Sequence, residues 1–310
     1  MKRFSKLLFT CFALIMTVVC CFSMAGCKAK IRDAQLELQI YDYSSGTLKT
    51  GEDVAMSIQL YSHLAPKTVE AMEKYIADGY YDNAIIYQLD SNKIMFGDLI
   101  LDGDAIVTEE DAQGVQTTNI KLNSVKPTLP GEFEYGSTQG SDLTNKKGSI
   151  GLWRSYYDTA DSYTTSSGMN SGRATWFMPT QEITSFNGYF CVFAQLNFED
   201  ESTTSAFNLL EQIFADSANY TKYVIYYTQK VDSDGNKLAY DETKENANLE
   251  FHCVTKEYYD ALPQTEKDKV FVASDVDGKQ LVCYNKYEIK VPNNVAGKCT
   301  ALVKGSSMVK

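Results

Sequence analysis

Between Val54 and Leu89 the hydrophobic period of the chain changes twice. Val54, Met56, Ile58 and Leu60 alternate with Ala55, Ser57, Gln59 and Tyr61, which predicts a half-buried strand. After a short polar loop, Val69, Met72, Glu73 and Ile76 recur at helical spacing behind Pro66. Proline suits a helix's first turn, where its missing N–H has no intrahelical partner. Gly79 stops the element, so the predicted helix runs from Pro66 to Ala77. A YYDN turn then leads into a second apolar strand, Ala84 to Leu89.

The same reading extends along the chain. Ala34 to Tyr43 alternates as a first strand and turns at Ser44-Ser45-Gly46. Residues 98–130 form a polar, acidic insertion, read as a solvated loop or β-excursion. Its carboxylates, DGD at 102–104 and EED at 109–111, lack the spacing of an EF-hand loop, and no metal or cofactor is expected. Ser155 to Gly172, rich in Tyr, Ser, Thr and Gly, suits a long surface loop. Ser205 to Phe214 reads as a helix with Phe207, Leu210, Ile213 and Phe214 on one face and Ser205 as its candidate N-cap. Tyr223–Val231, Leu249–Thr255, Lys269–Ala273 and Gln280–Lys290 read as strands, with Asp234-Gly235 and Asp277-Gly278 as hairpin turns. Residues 216–284 thus read as a second insertion ahead of a closing strand, Tyr287 to Val291, and 292–310 as a flexible tail. No internal repeat is found.

The N-terminus changes the setting. Lys2, Arg3 and Lys6 precede an apolar run from Leu7 to Phe22, too short for a membrane span and suited to a signal segment covering residues 1–26. Met24-Ala25-Gly26-Cys27 resembles a bacterial lipobox, making Cys27 the expected lipidation site and 27–33 a tether. Lipid adds roughly 0.8 kcal/mol per buried methylene, so several acyl chains hold a protein at the extracytoplasmic face of the cell membrane. Without the leader and its three basic residues the formal charge moves from −11 to −14, which argues against nucleic acid as a partner. About 284 residues remain, ample for a large core. Of the eight cysteines, Cys191, Cys253, Cys283 and Cys299 fall beyond the leader and Cys27; Cys191 reads as a buried apolar residue, and Cys253 with Cys283 as the first candidate for a disulfide. His63 and His252 are the only histidines, and no Cys/His spacing suggests zinc.

The strand, APKTVE helix, YYD turn and strand resemble the opening of a cyclophilin-type peptidyl-prolyl isomerase. FGD at 96–98, PGEF at 130–133, KKGSIGL at 146–152, TWFM at 175–178 and FNGYFCVFAQL at 186–196 follow in that family's order. The resemblance covers roughly residues 32–196, with residues 34–291 as the implied domain. It implies a mainly β fold: an eight-stranded antiparallel barrel capped by two helices, here with a C-terminal β-hairpin insertion.

The resemblance also implies a chemistry. Prolyl isomerisation must overcome amide resonance, a barrier of about 18–20 kcal/mol. The family lowers it by gripping the twisted imide with a groove arginine, an apolar floor and polar anchors, which is differential binding rather than covalent catalysis. Aligned on the family's segments, the groove becomes Tyr87, Gln88, Met95 or Phe96, Thr175, Phe177, Phe186 and Phe190, with Gln88 at the arginine position. The family's arginine, groove glutamines, tryptophan and histidine are all replaced. Expected partners are proline-containing or unfolded exported polypeptides. Two readings stay open: an isomerase of weak or lost catalysis that assists protein folding, or a non-catalytic peptide- or protein-binding surface lipoprotein.

Overall fold

In the computed structural model, residues 31–42, 47–48, 54–82, 84–103, 106–154, 168–238, 248–271, 286–293 and 295–298 are described. The leader, Cys27 and the 155–167 part of the Tyr-rich loop lie outside them. The main strands are β1 (Ile31–Asp42), β2 (Val54–Tyr61), β3 (Ala84–Leu89), β4 (Lys93–Leu101), β5 (Ile120–Leu122) and β6 (Ser149–Leu152). They continue as β7 (Trp176–Pro179), β8 (Val192–Leu196), β9 (Tyr220–Gln229), β10 (Leu249–Thr255), β11 (Tyr287–Pro292) and β12 (Val295–Lys298). The helices are α1 (Pro66–Ala77), α2 (Glu201–Ala215) and two short ones, α3 (Lys256–Ala261) and α4 (Gln264–Lys267).

Antiparallel pairing runs β3–β4–β7–β6–β8–β2–β1–β12. β11 and β12 are successive lengths of one terminal segment. The second half pairs with β1, Leu38 opposite Gly297, and the first half pairs with β3, Ile289 opposite Leu89. The circuit therefore returns on itself, and the fold is the expected eight-stranded antiparallel barrel.

The barrel is filled as its pattern requires. Met56, Ile58 and Leu60 of β2 point inward and are at most 1% exposed. α1 turns Val69, Met72, Tyr75 and Ile76 onto one end, and α2 turns Phe207, Leu210 and Phe214 onto the same core. Met72 is a junction there, because its sulfur accepts from Trp176 Nε1 at 2.9 Å and from the Tyr81 hydroxyl at 3.1 Å. α1 has no side-chain cap of its own, since Ala65 stands at that position. The buried Glu132 carboxylate supplies it from the PGEF segment, accepting from Lys67 N at 3.1 Å and Thr68 N at 2.7 Å. A negative charge against a helix's first N–H groups is favoured by the helix dipole as well as by the hydrogen bonds.

Several boundaries differ from the sequence reading. α2 begins at Glu201 and not Ser205, because the Asp200 carboxylate accepts from Ser202 N and caps it there. The same carboxylate accepts from Ser57 Oγ at 2.7 Å, tying α2 to β2. The chain beyond Pro292 was expected loose, yet β12 lies in it and closes the barrel. Of the strand expected over Lys269–Ala273, the described part makes only an isolated bridge, Thr228 opposite Val270. Cys253 is a buried thiol; Cys283 and Cys299 lie outside the described residues, and with them the expected Cys253–Cys283 pairing. The 98–130 insertion is a β-excursion: β5 pairs with β4, and Thr108–Glu110 pairs with Gln116–Thr118.

The C-terminal insertion builds outward from the barrel. β9 pairs with β11 from Tyr220–Pro292 to Ile225–Tyr287, and β10 pairs with β9 along its length. Tyr223, Ile225, Tyr227, Leu249 and Cys253 then form a second core with Ile85, Tyr87, Met95, Leu99 and Ile120. The β3–β4 wall is thus buried on both faces.

Candidate functional site

The pleat sorts the expected groove residues. Ile86, Phe96, Trp176 and Leu152 stand opposite one another across β3, β4, β7 and β6, and all four belong to the barrel interior. One residue along, Tyr87, Met95, Phe177 and Gly151 form the next row, on the outer face. Tyr87, Met95 and Phe177 join Phe186 and Phe190 in the second core. Of the two residues left open in the alignment, Met95 faces outward; Phe96 faces inward and stacks on Tyr81 at 5.3 Å.

Gln88 follows Tyr87 and so takes the opposite face. It is 6% exposed, stands opposite Ile94 and Lys290, and its Oε1 accepts from Lys290 Nζ at 3.0 Å. The residue that β3 presents outward at this level is Tyr87. Thr175 is partly buried, and its carbonyl accepts from Trp153 N at 2.8 Å.

The outer-face residues form an aromatic box. Phe186 stacks on Phe190 at 4.2 Å, Phe177 meets Phe190 edge-on at 5.5 Å, and Trp153 stacks on Phe190 at 5.6 Å. Such offset and edge-on pairs are the favoured arrangements of ring quadrupoles. Gly151 permits the packing, because a Cβ there would meet the Phe177 ring at 2.3 Å. Lys93 Nζ lies 5.6 Å from the Phe186 ring and is paired with Asp90 at 2.7 Å. Phe177 and Phe190 are 0% exposed, Tyr87 and Met95 1%, and Phe186 7%. The set is packed, not open.

Sequence reasoning missed two members. Trp153 ends the KKGSIGLW run and carried no pattern signal, since it lies just past β6. Asp98 was signalled, as a single acid inside the apolar run KIMFGDLIL. The Tyr87 hydroxyl donates to Asp98 Oδ2 at 2.8 Å, and Asp98 Oδ1 is buried without a partner among the described residues. Burial pushes the Asp98 carboxyl up to about 6, although the bond from Tyr87 and, after it, the backbone N–H groups of Asp98 and Leu99 pull the other way. Burial, then the adjacent Asp98, drives the Tyr87 phenol well above its usual value.

Neither arginine near the box is available to an imide. Arg154 is 3% exposed, donates from Nε to Tyr189 O at 2.9 Å, and lies over the Phe190 and Phe133 rings at 4.9 and 5.4 Å. Arg173 donates to the Lys126 carbonyl. Neither described thiol is an activated nucleophile: burial pushes Cys191 and Cys253 up to about 12. Among the described residues no cluster of His, Cys, Asp or Glu could hold a metal ion. The arrangement is suited to apolar contact and to hydrogen bonds from Tyr87 or a protonated Asp98.

No curated protein sequence matches the chain. Two solved structures of a Cryptosporidium parvum cyclophilin type peptidyl-prolyl cis-trans isomerase are similar at 14% identity, one of them determined in the presence of the dipeptide Ala-Pro. They cover 73% and 71% of this chain and 99% and 98% of their own, with TM-scores of 0.34 and 0.33. The family model described as cyclophilin type peptidyl-prolyl cis-trans isomerase/CLD matches residues 47–225, more than half of the sequence. The chain therefore belongs to the cyclophilin-type peptidyl-prolyl cis-trans isomerase family.

Proposed function

We propose that this chain is a lipid-anchored, extracytoplasmic member of the family that handles proline-containing or unfolded exported polypeptides with weak or lost isomerase activity. The carrying observation is the outer face of β3, β4 and β7. Where the family would grip an imide, this face offers Tyr87, Met95 and Phe177, all buried, and no free guanidinium. Gln88, at the aligned arginine position, is engaged with Lys290 on the barrel side. A charged hydrogen bond is roughly twice as strong as a neutral one. Each 1.4 kcal/mol or so withheld from the transition state slows the reaction about tenfold. Losing the charge and burying the face together remove most of the catalysis.

Binding stands apart from catalysis: aromatic rings hold a proline or aromatic side chain without any charge, although the box is packed and has to be uncovered first. Isomerisation of a short proline peptide by the soluble form starting at Lys28 tests the reading. The expected rate is close to the uncatalysed one. Turnover like that of an intact cyclophilin, abolished in Gln88→Ala, would overturn it. Retention of the peptide without isomerisation would favour the binding-module form of the proposal.

A further inference from the structure

The second core is bounded asymmetrically. On one side β9 is joined to β11 by a continuous ladder from Tyr220–Pro292 to Ile225–Tyr287. On the other, β10 meets the 116–118 strand through side chains. Thr255 N and Oγ1 both donate to Gln116 Oε1, at 2.7 and 2.9 Å, and Thr118 Oγ1 donates to Cys253 O at 2.9 Å. No backbone ladder crosses that seam among the described residues. These three bonds are the polar edge of a piece whose remaining hold on β3 and β4 is the apolar packing of Tyr227, Leu249 and Cys253 in the second core.

Beneath this piece lies a group that favours opening. Asp98 Oδ1 is buried without a partner among the described residues, beside Tyr87, which neighbours Tyr227 of β9 and Tyr287 of β11. An orphaned buried acceptor costs the closed arrangement what water would return to it on opening. The family match ends at Ile225, so the rest of β9 and all of β10 lie outside the part that defines the family.

We infer that β9 and β10 form a hinged cover, swinging on the β9–β11 ladder and latched at Gln116 and Thr118, whose opening exposes the outer face of β3 and β4 to a polypeptide. The cover regulates the face on which the proposed function rests. Closed, it is the occupant of that face, with Tyr227, Leu249 and Cys253 packed where a bound chain would lie. Open, it frees Tyr87, Met95 and the margin of the aromatic box.

Two buried thiols report on this separately. Cys253 sits in the cover, while Cys191 sits in the barrel interior. The full mature chain is exposed to a thiol reagent under native conditions, and labelling at each cysteine is followed by mass spectrometry of peptides. Cys253 should label faster than Cys191. Gln116→Ala, which removes two latch bonds, should speed Cys253 about tenfold and leave Cys191 unchanged. Thr118→Val, which removes the third, should act in the same direction. Both latch residues are only half-buried, so the variants leave the cores intact. A fluorescently labelled Gly-Ala-Pro-Phe peptide should bind Gln116→Ala more tightly than wild type. Cys253 and Cys191 labelling together, at one slow rate unaffected by either substitution, would show a fixed wall and overturn the cover. Faster Cys253 labelling with no gain in peptide binding would support the cover and overturn the peptide-binding reading instead.

Discussion

Asp98 concentrates the tension between the two cores. Its backbone belongs to β4, so its side chain is carried into the second core whether or not a partner waits there. The groups facing it are the phenols of Tyr87 and Tyr80, with Tyr227 and Tyr287 beyond Tyr87, and the phenols of Tyr80 and Tyr87 are pushed above their usual value. None of them carries a charge near neutrality, so only the carboxyl titrates there. Its folded value of about 6 exceeds the ordinary 3.8. Between those values the unfolded chain has released a proton that the folded chain retains, so stability falls as pH rises through the window. Above about 6 the loss is complete, up to about 3 kcal/mol at 1.4 kcal/mol per unit. Asp98→Asn removes the titration while keeping the shape. The variant should be more stable than wild type above pH 6 and should converge on it near pH 4, as read by urea unfolding. A variant less stable than wild type at pH 7 would mean that the ionised carboxylate is stabilised in the fold.

The elements themselves were largely legible, and for a specific reason. β2 and α1 each bury one face, so Met56, Ile58 and Leu60 announce period 2, and Val69, Met72 and Ile76 announce the helix. What the sequence hid is which other element completes a face. α1 looks uncapped from its neighbours because its cap, Glu132, comes from a segment 64 residues away. The sequence places the start of α2 too late because Ser205 fits the N-cap preference as well as Asp200 does, and only the bonds to Ser202 and Ser57 separate them. Replacing Glu132 tests the borrowed cap. Glu132→Ala leaves two N–H groups of α1 without acceptors and should lower stability by about 2 kcal/mol. Glu132→Gln keeps an oxygen there and should lose less. Equal, negligible losses in both would mean that α1 is held by its apolar face alone.

The whole molecule adds a second core to a barrel that the order of segments already implied. A hint was present. AIIYQL and KIMFGDLIL are nearly unbroken apolar runs, as strands covered on both faces are, and not alternating ones. The runs do not say what covers the outer face, because β9, β10 and β11 each read as ordinary strands. For the same reason the expected groove residues came out of the alignment as a set, but the face each occupies did not. Phe96 and Gln88 went inward, and Tyr87, Met95, Phe177, Phe186 and Phe190 went outward into a packed box.

The proposed membrane setting rests on Cys27, and it can be tested on the whole chain. The basic residues Lys2, Arg3 and Lys6, the apolar run that follows and the Met24-Ala25-Gly26-Cys27 segment motivate a lipid anchor. With a formal charge of −14 after the leader is removed, electrostatics would repel the chain from anionic lipid headgroups. Acyl chains on Cys27 would then supply the whole of the attachment, and salt should have little effect on it. In fractionated cells, wild type should stay with the membranes through a high-salt wash and leave them in detergent. Cys27→Ser removes the acyl acceptor, and the processed protein should appear in the soluble fraction. A Cys27→Ser chain that remains membrane-bound with its leader uncleaved, beside a wild type carrying no lipid, would replace the lipoprotein reading with a signal-anchored one.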